Sequence, residues 1–170
     1  MAKCAFFGHS KWYYSRFKEK LKSIIIDLIE NKCVTEFYNG CRGDFDNLCI
    51  EVVHELKERY PHIKLILVLS YYPDGEFFLP RRFDETVYLL EKSVPPRFAI
   101  YHTNRRLVEI ADYIISGVHY FGGGEFQACN YAKRLKKEVI EVENGDLKIF
   151  SYNLELYYLS VLLYNCTENR

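Results

Sequence analysis

Residues 63–72 read "IKLILVLSYY", and apart from Lys64 the run is apolar through Leu69 and rich in β-branched side chains. A strand with one wet face alternates apolar and polar positions. A run that is apolar at nearly every position fits a strand covered on both faces, as in the middle of a parallel sheet. Upstream, Pro61 ends "LCIEVVHELKERY", whose Leu48, Val52, Val53 and Leu56 share one helical face. Before that helix lie the turn-rich "NGCRGDFDN" and the strand-like "VTEFY". Farther upstream, Phe17, Leu21, Ile24, Ile25, Leu28 and Ile29 in "YYSRFKEKLKSIIIDLIENK" have the three-and-four spacing of an amphipathic helix, and "KCAFFG" is a short apolar run ending at Gly8.

Downstream, Pro73, Gly75, Pro80, Pro95 and Pro96 punctuate an irregular excursion above the sheet, with a weak helical segment at Glu85–Glu91. The runs "RFAIY" (strand), "TNRRLVEIA" (helix), "DYIISGV" (strand), "GEFQACNYAKRLKK" (helix) and "EVIEV" (strand) then alternate with short connections. Such alternation predicts an α/β fold, an open and mainly parallel sheet with helices on both faces. "NGD" at 144–146 is a turn signal, Leu147–Phe150 a possible edge strand, and "LELYYLSVLLY" an apolar helix that must be covered by this chain or by a second copy. In the second case that helix is a self-association surface of a homodimer or higher homo-oligomer.

The chain has 170 residues, the size of one domain, with a core expected over about 3–142. Lys plus Arg and Asp plus Glu are 23 each, so no global charge favours a nucleic-acid partner or an acidic membrane. The six cysteines include no C-x-x-C pair, Met1–Phe7 is too short and strand-like for a signal peptide, and no apolar run approaches the ~18 residues of a membrane span. The expectation is a cytoplasmic protein with free thiols and no membrane partner.

In an open parallel sheet the ligand crevice lies beyond the carboxyl ends of the strands. The loop residues there are Gly8, His9, Ser10 and Lys11, then Asn39, Gly40, Cys41, Arg42, Gly43, Asp44 and Asp46, then Ser70–Tyr72, and finally Ser116, Gly117 and the glycines Gly122, Gly123 and Gly124. A glycine turn entering a helix suits an anion, because backbone N–H groups and the positive end of the helix dipole face it. The first side chain after that turn is nevertheless an acid. Glu125 either stabilises its own helix start or faces a ligand ribose or water, where a carboxylate can support an oxocarbenium-like centre. Asp44 and Asp46 divide in the same way between capping a helix and holding ribose hydroxyls. His9 divides between a hydrogen-bonded strand-end residue and a base. His102 and His119 have no partner pattern for a metal, and no metal or cofactor is expected.

Taken together, "FFGHS", "NGCRGDFDNLCIEVVHELKERYP", "TNRRLVEIADYII" and "GGGEFQACNYAKRLKKEVIEV" resemble the SLOG group of Rossmann-like domains (the Smf/DprA and LOG assembly), most closely its small stand-alone YpsA-like branch. The resemblance runs from about Ala5 to Val142. It implies a nucleotide or nucleotide-derived ligand across the strand-end loops. Gly40, Gly43 and Asp46 match the glycine-containing turn that ends in an acid, Asn104 and Arg105 the Asn-Arg pair at the start of a helix, and the triple glycine the phosphate side. The chain departs from the pattern where related families favour Thr and it has Glu125, and where LOG enzymes carry a Glu and it has Gln127, Ala128 and Cys129. Ser10 and Lys11 stand where an Arg usually follows the histidine.

The leading expectation is binding or sensing of a nucleotide-type small molecule at Gly8, His9, Ser10, Gly40, Arg42, Gly43, Asp46, Asn104, Arg105 and Gly122–Gly124. The alternative is an N-glycosidic hydrolase or transferase using Glu125, as LOG enzymes cleave a nucleoside monophosphate at that bond. A third reading, a single-stranded DNA-handling module, is opposed by the balanced charge.

Overall fold

The computed structural model describes residues 1–11, 17–72, 79–91, 94–118 and 122–142. Six strands form one parallel sheet: β1 (Ala2–Gly8), β2 (Val34–Asn39), β3 (Lys64–Leu69), β4 (Glu85–Tyr88), β5 (Tyr113–Gly117) and β6 (Glu138–Glu141). Their spatial order is β4-β3-β2-β1-β5-β6. Helices α1 (Lys18–Lys32) and α2 (Asp44–Lys57) cover one face, and α3 (Pro96–Ile110) and α4 (Gly123–Arg134) cover the other.

The pleat sorts each strand between these layers. Cys4, Phe6, Leu65 and Leu67 enter the core beneath α1 and α2, whereas Ala5, Phe7, Ile66 and Val68 enter the core beneath α3 and α4. This two-sided burial explains why residues 65–69 show no polar alternation. The helical spacing of the sequence is realised in α1 by Leu21, Ile25, Leu28 and Ile29, and in α2 by Leu48, Val52, Val53 and Leu56.

Two elements differ from the sequence reading. Glu85–Tyr88, expected as a weak helix, is the parallel edge strand β4, paired from Ile66↔Glu85 to Leu69↔Tyr88. Its entry is fixed by Asp84, whose N–H donates to Leu65 O at 2.9 Å while its carboxylate accepts from Leu65 N–H at 2.7 Å. Once Asp84 has clamped the chain beside β3, the four residues that follow complete the ladder. "RFAIY", expected as a strand, forms the first turns of α3 instead. Pro96 stands at the first helical position, where its fixed φ suits a helix and its missing N–H costs nothing. Ala99, Thr103 and Leu107 then lie buried at helical spacing. The apolar C-terminal segment, its preceding turn and the possible edge strand lie outside the described residues, as does the oligomer interface expected there.

The winding reverses between β1 and β5, which pair in register from Cys4↔Tyr113 to Gly8↔Gly117. Here the loops after the two strands diverge and open a crevice. Phe45, fully buried in the first turn of α2, lies against both strand ends. A Cβ on Gly8 would stand 2.3 Å from its ring, and one on Gly117 2.4 Å. The glycine pair is thus required by the phenylalanine. Gly117→Ala is expected to destabilise the protein by about 1–3 kcal/mol through overpacking, and trimming the ring in Phe45→Leu/Gly117→Ala is expected to cost less than the sum of the single changes. Additive losses in urea unfolding would show that the two positions do not compete for space.

Candidate functional site

The loop after β2 is built around Asn39, whose buried side chain donates from Nδ2 to Asp46 O at 3.1 Å and accepts from Cys41 N–H at 2.7 Å. Asp46 is the third residue of α2, and its Oδ2 accepts the N–H of Arg42 at 2.8 Å. An acid at this helical position commonly reaches back to the cap N–H; here it reaches one residue farther. Asp44 N–H donates to Ser10 O at 3.0 Å and ties the loop after β1 to the start of α2. Arg42 then sends its guanidinium across to Ser70 Oγ, at the end of β3.

These loops line an open cleft. Its polar lining comprises Ser10, Arg42, Asp46, Thr103, Asn104 and Glu125, and Phe6, Phe7, Val68 and Leu107 supply apolar wall. Burial pushes the Asp46 carboxyl from its ordinary 3.8 up to about 6; the Arg42 N–H and guanidinium oppose that rise, and the Glu125 charge adds to it. Burial also lowers the pKa of Arg42, against the pull of Asp46, Glu125 and Tyr71. Thr103 is 1% exposed, and its Oγ1 has no hydrogen-bond partner among the described residues. A buried hydroxyl left unpaired costs about 1–3 kcal/mol, and in the cleft wall a ligand or water group can meet it.

The glycine turn is formed by Gly122 at φ 110° and Gly123 at φ 81°, both in the region that disfavours a side chain. Gly122 caps α4 without a side-chain hydrogen bond. Glu125 is the third residue of α4 and folds back towards the turn, with Oε2 3.2 Å from where a Cβ on Gly123 would stand. It therefore occupies the mouth of its own helix and the wall of the cleft together. Ser116, buried at the end of β5, accepts from Cys129 Sγ at 3.4 Å and fixes α4 against the strand.

The fold brings Gly8, Ser10, Gly40, Arg42, Asp46, Asn104 and Glu125 to one cleft. Gly43, the N-cap of α2, and Gly122–Gly124, at the start of α4, are not part of the lining. His9 is 2% exposed and is not part of the lining. Arg105 points elsewhere: its guanidinium lies 3.9 Å from the Tyr131 ring centroid and donates to Tyr101 Oη at 3.2 Å. The Asn-Arg pair does not begin a helix but lies inside α3, where neighbouring side chains diverge by about 100°. Thr103 stands at the apparent start of its helix in the sequence, which hides its role; the Pro95-Pro96 signal and the Ala99, Thr103, Leu107 spacing carry it. Among the described residues no group of three His, Cys, Asp or Glu side chains could hold a metal, and no helix is long and apolar enough to cross a membrane. His119 lies outside the described residues.

No protein-family model and no curated protein matches the chain. Solved structures do. DNA processing protein A (DprA) from Streptococcus pneumoniae superposes with a TM-score of 0.62 at 14% identity, covering 86% of this chain and 52% of that one. DNA processing protein A from Helicobacter pylori, described for its single-stranded DNA binding mode, gives 0.58 at 16% identity, covering 82% and 64%. A structural-genomics target designated TM1055 gives 0.52 at 21% identity, covering 82% and 72%. The chain thus spans about half the length of the Streptococcus protein. At these identities the likeness establishes the fold alone, a six-stranded Rossmann-like α/β sheet.

The raised Asp46 pKa has a definite sign in stability. Between about pH 4 and 6 the folded state holds a proton that the unfolded chain releases, so this contribution is present below pH 4 and is lost as pH rises through 6. Relative to Asp46→Asn, the wild type is expected to lose about 2 kcal/mol between pH 4 and pH 7, as measured by urea unfolding. A constant difference across that range would reject the assignment.

Proposed function

We propose that the chain binds a nucleotide or nucleotide-derived small molecule in the cleft at the β1/β5 reversal. The observation that carries this reading is the buried Thr103 hydroxyl, unpartnered among the described residues, in a cleft that also presents Arg42, Asp46, Asn104 and Glu125. A concave site with an apolar wall and a few convergent polar groups is the usual form of a small-molecule pocket, and its position at a topological reversal is the usual place for one in an open α/β sheet. The SLOG-type fold favours a nucleotide-derived ligand among those such a pocket could take.

A second reading, N-glycosidic cleavage or transfer, is favoured by the two carboxyl groups that share the cleft. Asp46, with its pKa at about 6, can carry a proton near neutral pH and deliver it to a leaving base, while Glu125 can stabilise the oxocarbenium-like sugar. A single-stranded DNA role rests only on the likeness to the DprA structures, and the 23 basic residues are matched by 23 acidic ones. Salt-dependent binding of an oligonucleotide is the result that would bring it forward.

Thermal unfolding against nucleosides and mono-, di-, cyclic and ADP-ribose-type nucleotides tests the binding reading. A true ligand at a hundred times its Kd is expected to add ~2.7 kcal/mol of stability. If no compound shifts the midpoint, the reading fails. Release of free base by wild type and Glu125→Gln tests the enzymatic reading: a drop of 10²-fold or more is expected on removing a participating carboxylate, and equal rates would exclude Glu125 from the chemistry.

A further inference from the structure

The described residues that line the cleft hold one cation, Arg42, against two acids, Asp46 and Glu125. Arg42 is already engaged: its guanidinium donates to Ser70 Oγ, and it is drawn electrostatically to both carboxylates. The two helices that begin at the cleft are also met by their own acids. The first turn of α2 carries Asp44 and Asp46, and that of α4 carries Glu125. Each helix start would otherwise attract an anion, but a carboxylate of the same helix occupies that field. Above the Asp46 pKa, the described lining carries one net negative charge.

A phosphate offers acceptor oxygens and negative charge. Ionised carboxylates also only accept, so they cannot pair with it and they repel it. Sugar hydroxyls and exocyclic amines, in contrast, donate. Asp46 and Glu125 can accept from them, Asn104 can do both, and Thr103 Oγ1 has both capacities unused. Phe7, Val68 and Leu107 offer apolar contact to a base.

We propose that the cleft takes a neutral nucleoside in preference to its phosphorylated form, with the donor groups of the ligand lying among Thr103, Asn104, Asp46 and Glu125. This inference rests on the nucleotide-derived reading above and specifies its ligand class.

The test is calorimetric titration at pH 7.5 and low salt with four matched pairs: adenosine and AMP, guanosine and GMP, cytidine and CMP, uridine and UMP. In at least one pair the nucleoside is expected to bind ten times more tightly than its monophosphate. Glu125→Gln removes a charge while keeping the shape, and is expected to shrink that gap to below threefold by strengthening the monophosphate. Thr103→Val is expected to weaken the nucleoside at least fivefold; if that buried variant does not fold, Glu125→Gln decides alone. A monophosphate that binds as tightly as its nucleoside in every binding pair overturns the inference and leaves the nucleotide-derived reading standing. A gap that Glu125→Gln leaves unchanged overturns it too, because charge is then not its cause. If none of the eight binds, the inference falls, and if the wider thermal panel is also silent, the reading beneath it falls as well.

Discussion

The ring of Phe45 lies against the paired glycines that end β1 and β5, and the site depends on that contact. It pins the first turn of α2 to the point where the winding of the sheet reverses. Asp46 follows Phe45 in sequence, so burying the ring delivers the carboxyl into the cleft, and the Arg42 N–H then folds back onto it. The energies are comparable. Full burial of a phenylalanine side chain contributes about 1.5–3 kcal/mol, and holding Asp46 ionised two pH units above its ordinary range costs about the same. An unfavourable charged group is thus kept in place by apolar packing directly behind it.

The polar part of the site follows a different logic from the glycine turn that first draws the eye. Gly122 and Gly123 adopt positive φ angles, and Glu125 folds back over the start of the helix they introduce. Asp46 does the same at α2. Two helix starts that could have received a phosphate are each met by an internal carboxylate, and the single cationic side chain of the described lining is drawn to both acids. The architecture is shared with DNA processing protein A structures at 14% and 16% identity. At that distance a fold hosts many activities, and the chemistry must be argued from the side chains in the cleft.

Much of the architecture was legible along the chain. The unbroken apolar run at Leu65–Leu69 signalled a strand buried on both sides, and Leu21, Ile25, Leu28 and Ile29 signalled α1, because periodicity reports directly which faces meet the core. β4 was not legible: "ETVY" is short, and it becomes a strand only because Asp84 is clamped to Leu65 from a distant part of the sequence. The start of α3 was obscured because Arg97–Tyr101 is as apolar as a strand, while the helix signal lay in the prolines before it.

The candidate site divides in the same way. Strand-end placement, a property of parallel sheets, points to Gly8, Ser10, Gly40, Arg42, Asp46 and Glu125, and the fold brings these residues to one cleft. The direction of a side chain is set by helix phase, and this separated Asn104, which lines the cleft, from Arg105, which stacks on Tyr131 outside it. The sequence by itself determined the parallel sheet, its two helical layers and the loops that converge, since these follow from local periodicity and turn chemistry. Only the tertiary structure decided that Asp46 is buried to the point of a raised pKa, that Arg42 crosses to Ser70, and that Thr103 has no hydroxyl partner among the described residues. Burial and partnership depend on residues far apart in the chain, which no local pattern encodes.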